Sequence, residues 1–554
     1  MPPKTKKHAP AGSMPRPETE PTPVPSGGGE GSETVKETLE SIIIAFILAF
    51  VFRAYVVEAF VIPTGSMAPT LLGHHLRIEC SQCGYHFESD SGDDASGKSR
   101  LSSSEEAFCP MCYYGNELTR GERVRAGDRI LVHKYIYSLT DPKRWDVVVF
   151  KNPQLPTQNF IKRLVGLPDE SICIIEGNVY SKPREEDVAA WKIARKSDYL
   201  KVQHAVWQPI YHSQYVPLDQ GQGPQRSVLW HVPWSAAVGA DHWQIEGRRT
   251  YEHHSSEKGS IEFNFKSTAR GDNLGGFSHA QWYSYNQLKP LNLFKPEPIE
   301  DIRLAVGFQP TGAGLGVELQ TTARVTRRDG KAKRTVILSG IEPDGTVYLL
   351  LRDPKTGEED RLAVTASMAP FAVGRTREIE LWHVDQEISL WVDGDRVLVH
   401  QYEVDYNELR ARDPLHGSHF PELAITVYGS PVKLHRVEVG RDLYYSSRRR
   451  TNAPRGTVTK SQSGEHAGGQ IDLKANQFYC LGDNSPMSQD SRYWASPTNW
   501  IKLRMFDPEE TAKGIVPRTL MMGKAFFVYF PAALAWNESG TPFVPNFAGM
   551  RFIY

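Results

Sequence analysis

The apolar positions of this chain fall into two contrasting patterns. Near the N-terminus, Ile42–Phe52 is an unbroken apolar run, IIIAFILAFVF. A helix rises about 1.5 Å per residue and a hydrocarbon core takes roughly 20 residues, so the run alone is too short to cross a bilayer. Extended over Leu39–Val57 it reaches that length and takes in Arg53, whose long stem can carry its charge to the headgroups. The pattern predicts a transmembrane helix over 37–60, with a buried core helix as the competing reading. Residues 1–36 hold much Pro, Gly, Ser and Thr and few large apolar side chains, which predicts a disordered tail.

Beyond this segment the period changes to two. Arg129–His133, Trp145–Phe150, Phe160–Val165 and Ser171–Tyr180 are short β-branched runs bounded by Gly, Asp and Pro. From 188 to 461 alternation takes over. Its clearest unit is Glu378–Val384, a turn at Asp385-Gln386, Glu387–Val392, a turn at Asp393-Gly394 and Arg396–His400. Asp-Gly suits the left-handed backbone of a tight hairpin. Ser260–Phe265, Val336–Leu338, Thr346–Leu351, Leu423–Tyr428 and Leu434–Val439 repeat the alternation, which predicts an antiparallel sandwich. Gly514–Tyr529 reads as a closing strand; its Ala525–Phe530 run is too short to span a membrane and ends at Pro531.

The fold class is therefore mainly β, in several domains, as 554 residues imply. The split is 61–187 for the first part of one body, 188–461 for an inserted β-sandwich and 462–554 for the second part. A net charge of −1 removes any global attraction to polyanions, so no nucleic-acid partner is expected.

Of six cysteines, four form two close pairs, Cys80/Cys83 and Cys109/Cys112, within a small unit over 76–120. Two CxxC knuckles suit one structural zinc with no open position. Two disulfides or a redox pair remain as alternatives. The polar stretch between the knuckles, Ser89–Glu106, reads as a mobile loop. Cys173 and Cys480 read as small core residues. The histidines, His74/His75 and His253/His254 included, show no ligand spacing and read as surface residues.

Pro63-Thr64-Gly65-Ser66-Met67-Ala68-Pro69-Thr70-Leu71 follows the apolar segment directly, which makes Ser66 a candidate nucleophile at a bilayer surface. A serine hydroxyl attacks well only if a base takes its proton. Phe160-Ile161-Lys162-Arg163-Leu164-Val165-Gly166-Leu167-Pro168 offers Lys162. A free lysine is neutral in fewer than roughly one molecule in a thousand at pH 7, and burial against apolar neighbours raises that fraction. Strand alternation turns Lys162 inward and predicts that Arg163 points away.

In this order, the apolar segment, PTGSMAPTL, RWDVVVF, FIKRLVGLP, LGDN followed by Ser488 and Asp490-Ser491-Arg492, and a closing strand resemble type I signal peptidase, the membrane-bound Ser–Lys protease. The resemblance covers about Leu39–Leu76, Val124–Tyr180 and Gln470–Pro531. It implies a serine endopeptidase that cuts signal peptides from exported preproteins after small residues. The body would lie on the extracytoplasmic side of the cell membrane, with lipid as a partner and no cofactor for catalysis. It further implies that Thr64 and the Ser66 N–H donate to the oxyanion, that Ser488 orients Lys162, and that Asp490 and Arg492 brace the site. Asp483 and Asn484 would shape the adjoining turn, and Met67 would sit near the membrane-facing edge.

Three departures stand out: Trp145 and Asp169 where the family commonly has glycine, and Ser485-Pro486-Met487 in the last motif. The sandwich is similar to concanavalin-like jelly rolls on its WHVDQEISLWVDG hairpin. Carbohydrate, peptide and preprotein all stay open as its ligands, as does a role that only shapes the cleft. A membrane-anchored binding protein with an inactive protease body is the alternative function, and a self-cleaving repressor-type protease is a third.

Overall fold

A computed structural model describes residues 30–90, 106–112, 114–118, 124–218, 232–245, 247, 249–264, 299–364, 368–410, 420–445, 448–450, 458–460, 470–494, 496–507, 513–531, 534–535 and 542–554. The predicted tail up to residue 29 and the loop over 91–105 lie outside the described residues. Two units are distinguished, Met1–Val56 and Val57–Tyr554.

In the first unit one helix runs over Glu30–Tyr55. It therefore starts before the predicted 37–60 and stops short of its end. Its described apolar side chains, including Ile42, Ile43, Phe46, Ile47 and Phe50, are exposed. Among the described residues no helix is long and apolar enough to cross a membrane, so the predicted span is not found. The physical reason at one end is competition for chain. Val57–Val61 leaves the helix to pair residue for residue with Arg129–His133.

The second unit holds the split body and the sandwich. The body's main sheet runs in the order Val57–Val61, Arg129–His133, Met521–Phe530, Val147–Lys151, Asn159–Gly166, Gln477–Leu481, Val516–Pro517, with Arg551–Phe552 added on Met521–Phe530. The chain's two distant parts thus interleave in one sheet, which is how residues hundreds of positions apart reach a common site. A smaller sheet, Lys192–Ile193, Asn178–Pro183, Glu170–Ile175 and Ile471–Asp472, joins them again.

The predicted sandwich forms as two antiparallel sheets. One carries Trp243–Gln244, Tyr251–His253, Val432–Arg441, Ile302–Pro310, Arg377–Val384, Glu387–Val392 and Asp395–Gln401. The other carries Trp234–Val238, Gly259–Phe263, Leu423–Tyr428, Gly316–Thr326, Ala332–Ile341, Val347–Arg352 and Glu359–Val364. Both predicted hairpin turns occur where expected, with Asp385, Gln386, Asp393 and Gly394 at φ of 49°, 58°, 51° and 90°. Trp382 and Trp391 are buried and stack on each other at 4.4 Å, as sheet packing.

Cys173 and Cys480 are buried core residues, as read from sequence. The histidine reading needs correction. His75 and His253 are buried, not at the surface. His75 Nδ1 lies 2.8 Å from the Gly73 carbonyl. His253 packs on Trp243 at 4.7 Å.

Candidate active site

Ser66 sits on a single 3-10 turn, Gly65–Met67, entered from an extended Thr64. Gly73 fits behind that entry because it has no side chain. A Cβ there would lie 2.2 Å from the Thr64 carbonyl carbon. Met67 anchors the turn from beneath. Its side chain is fully buried in a cluster with Ile62, Leu71, Ile130 and Val132, so it is a core residue.

Lys162 lies on Asn159–Gly166, between Val147–Lys151 and Gln477–Leu481. Its Nζ is 2.8 Å from Ser66 Oγ and 2.9 Å from the Ile161 carbonyl. The residue is 4% exposed, and its Nζ stands 5.3 Å from the Phe160 ring centre. The two groups that sequence separates by 96 positions are thus in hydrogen-bond contact.

Arg163 does not point away. It is fully buried and makes a two-pronged ion pair with Asp483, at 2.8 and 2.7 Å. Its remaining nitrogen donates to the carbonyls of Trp145 and Tyr554, each at 2.8 Å. Alternation failed because every residue of this strand from Lys162 to Gly166 is buried. With both faces covered, there is no solvent side for the arginine, and a buried guanidinium needs a paired carboxylate. Asp483 supplies it and also accepts from Thr70 Oγ1 at 2.5 Å. Neither Arg163 nor Thr70 was singled out from sequence. The available signal was a cation beside an apolar run, matched by the acid at 483, which from sequence alone reads only as shaping a turn.

Asn484 does more than shape a turn. Its Nδ2 donates to the Gly65 carbonyl at 2.9 Å and its backbone N–H to the Ser66 carbonyl at 3.1 Å. Gly482 permits this approach; a Cβ there would lie 2.5 Å from the Ser66 carbonyl oxygen and 2.2 Å from Ser488 Oγ. Ser488 is buried close to Ser66 across that glycine. Its hydroxyl lies beside the Asp490 carboxylate and helps keep it ionised, but it falls outside hydrogen-bond geometry with any described group, Lys162 included.

Asp490 and Arg492 form the predicted brace. Both are fully buried, with paired contacts of 2.9 and 2.7 Å. Asp490 also accepts from the Gly482 N–H at 2.9 Å, and Arg492 donates to the Ser485 hydroxyl at 2.7 Å. Burial alone would raise the Asp490 pKa, but the guanidinium, the Gly482 N–H and the Ser488 hydroxyl outweigh it and hold it below the usual carboxylate value. A carboxyl depressed on folding stabilises the fold above its unfolded pKa of about 3.9, and that contribution is lost as pH falls through the lower folded value. Asp490→Asn is therefore expected to lower the thermal midpoint at pH 7. The difference from the parent should shrink as the pH is taken below about 4.

The four paired cysteines converge. Cys80 precedes the turn after His75–Glu79 and Cys83 ends it, while Cys109 and Cys112 flank the corresponding turn after Glu106–Phe108 in the same way. Their sulfurs all lie within 4.8 Å of one another. Cys80 and Cys112 are 3.5 Å apart and Cys83 and Cys109 3.6 Å, with all four thiols unbridged. Gly84, at φ 72°, closes the first knuckle. Four thiolates around a tetrahedral ion at about 2.3 Å stand roughly 3.8 Å apart, so the donor set fits zinc.

The signal peptidase, peptidase S26, family model matches residues 120–221 and 392–530. Over these residues the split body is similar to that family. Signal peptidase I of Rickettsia typhi is 29% identical over 149 residues, 27% of this chain and 44% of that protein. Probable signal peptidase I-2 of Synechocystis sp. is 32% identical over 128 residues, 20% of this chain and 58% of that protein. The chain thus spans less than two thirds of the length of these relatives. Among solved structures, the carbohydrate-binding module CBM66 from Bacillus subtilis is 14% identical with a TM-score of 0.21, over 37% of this chain and 94% of that one. The arrangement offers a hydroxyl, an amine in contact with it, and a buried charged scaffold behind both.

Proposed function

We propose that this chain is a serine endopeptidase that removes signal peptides from preproteins with a Ser66–Lys162 dyad. The observation that carries the reading is the 2.8 Å contact between Lys162 Nζ and Ser66 Oγ, made by a lysine that is 4% exposed. The neutral amine takes the hydroxyl proton as Ser66 Oγ bonds to the scissile carbonyl carbon. The oxyanion is met by the Ser66 N–H and the Thr64 hydroxyl. When the C–N bond breaks, the ammonium of Lys162 returns its proton to the leaving amine. A water activated by the same lysine then hydrolyses the ester.

The preprotein lies extended, with small residues before the cut, and adds to the sheet edge at Val57–Val61. That strand ends the main sheet among the described residues and leads directly toward Ser66. The test is cleavage of a preprotein by the parent chain and by Ser66→Ala. The reading requires a mature product from the first and none above background from the second; equal products would end it.

The body is held at a lipid surface by the exposed apolar residues of the N-terminal helix, among them Ile43, Ile47 and Phe50. A bare apolar stretch of this kind gains by leaving water. The parent should float with phospholipid vesicles, while Ile43→Asp with Ile47→Asp should stay behind. Flotation of both would remove this helix as the anchor. The four cysteines hold one structural zinc, and catalysis itself uses no metal or organic cofactor.

A further inference from the structure

Trp145 occupies a backbone position that L-residues with bulky side chains avoid. Its φ is 76°, in the left-handed region, where the family resemblance leads to an expected glycine. Asp169, the other such departure, is also left-handed at φ 59° but is a small polar residue in a turn. A tryptophan in that conformation persists only if its surroundings over-determine it. Here they do, through the body's sheet on one side and, on the other, a segment tied to the sandwich.

On one side, the Trp145 backbone belongs to the active-site scaffold. Its N–H donates to the Leu164 carbonyl at 2.7 Å, and its carbonyl accepts from Arg163 at 2.8 Å. Arg163 holds Asp483 with both prongs, and the next residue, Asn484, holds the Gly65 and Ser66 carbonyls. On the other side, the Trp145 ring, 1% exposed, meets the segment that follows Lys192–Ile193 of the smaller sheet. Its indole N–H donates to the Arg195 carbonyl at 3.3 Å, and the Lys196 Nζ stands 5.4 Å from its ring centre.

Arg195 and Lys196 are in turn stitched to the sandwich. Lys196 Nζ pairs with Asp385 at the hairpin tip at 2.7 Å and with Asp442 at the end of Val432–Arg441 at 2.9 Å. The Lys196 N–H donates to the same Asp385 carboxylate at 2.7 Å, and Arg195 donates to the Tyr402 carbonyl at 2.7 Å. The buried amine thus fills the centre of an acidic socket made by strand ends of the sandwich.

We propose that Trp145 is a positioning residue through which the inserted sandwich holds the Arg163–Asp483–Asn484 scaffold, and with it Ser66, in register with Lys162. The ring is the wedge, the left-handed backbone is what the wedge enforces, and the Trp145 carbonyl is the point at which the enforcement reaches Arg163. A glycine at 145 reaches the same φ freely but is not driven to it by the sandwich. The sandwich is then part of the active-site support, whatever else it binds. This inference rests on the peptidase reading for its kinetic consequence and not for its structural one.

The experiment compares the full-length parent with Trp145→Gly, Trp145→Phe and Trp145→Leu. Each is measured for kcat and KM on a preprotein, for thermal midpoint, and for amide hydrogen exchange over 63–71 and 477–488. Loss of register should appear in turnover, since misplacement of about 1 Å costs on the order of 100-fold. For Trp145→Gly we expect kcat lower by roughly 30-fold or more with KM within about threefold. Exchange at 63–71 and 477–488 should be faster by roughly tenfold while that of Gly316–Thr326 is unchanged. Trp145→Phe, which keeps a ring, should recover most of the turnover. If Trp145→Gly does not fold, Trp145→Leu decides by the same readouts. Turnover per folded molecule and exchange both equal to the parent's, with only the midpoint lowered, overturns the proposal. If the parent itself cleaves no preprotein, the peptidase reading falls, and the exchange measurement alone then decides the coupling.

Discussion

Lys162→Met is expected to lower kcat for preprotein cleavage by roughly 10,000-fold or more, with little change in the fold. Methionine is unbranched like lysine and fills a buried site without a charge, so the volume beside Phe160 and Ser66 is conserved. What disappears is the one amine within 2.8 Å of the Ser66 hydroxyl. Among the described residues no other base hydrogen-bonds that oxygen. Asp483 and Asp490 are each committed to a buried guanidinium. Lys524, the nearby strand cation, is paired with Asp146 at 2.5 Å. Residual turnover would come from oxyanion donors and binding, as in other acyl-transfer sites stripped of their base. The check is single-turnover kinetics beside a thermal melt. A variant with unchanged midpoint that keeps a tenth of parental activity would refute the dyad.

Loss of the proposed zinc from the cysteine unit is the second large expected effect. Purified chain is expected to carry one zinc, and Cys109→Ser or a strong chelator should release it. Structural zinc sites of this kind bind with apparent free energies on the order of 10–16 kcal/mol, which is more than two short hairpins can replace. Burial, reinforced by the neighbouring thiols, pushes the Cys109 pKa up, so four ionised sulfurs cannot share this volume without a cation to balance them. The damage should not stay local. His75 begins the first knuckle's strand and touches the Gly73 carbonyl, and Gly73 abuts Thr64 at the entry to the Ser66 turn. Zinc loss is therefore expected to remove His75–Glu79 and its partner strand from the protected amides and to slow turnover as well. Metal analysis, hydrogen exchange and kcat on the same sample check this. Protein with no zinc and no titratable thiols would instead establish disulfides.

The order of motifs was enough to propose the dyad before any geometry, because Ser66, Lys162 and the 483–492 segment are chemically interpretable residues in recognisable local settings. The hairpin at Asp385-Gln386 and Asp393-Gly394 was equally plain, since turn chemistry is local. The helix boundaries were less so: Val57–Val61 is apolar enough to continue a helix, and pairing with Arg129–His133 is what removes it. Arg163 was misjudged for a related reason. A period of two tells which residues share a face, and it does not tell whether the opposite face is solvent.

By itself, then, the chain's order of residues determined the candidate chemistry, the mainly β composition and the four-cysteine cluster, all carried by side-chain identity and short spacing. Tertiary structure alone decided that Arg163 faces inward to Asp483, that Asn484 grips the Ser66 turn, that Met67 is core, and that the Trp145 ring lies against Arg195 and Lys196. Those outcomes depend on strands 300 residues apart lying side by side, and burial on both faces of a strand is a property of the assembled sheet, not of any segment within it.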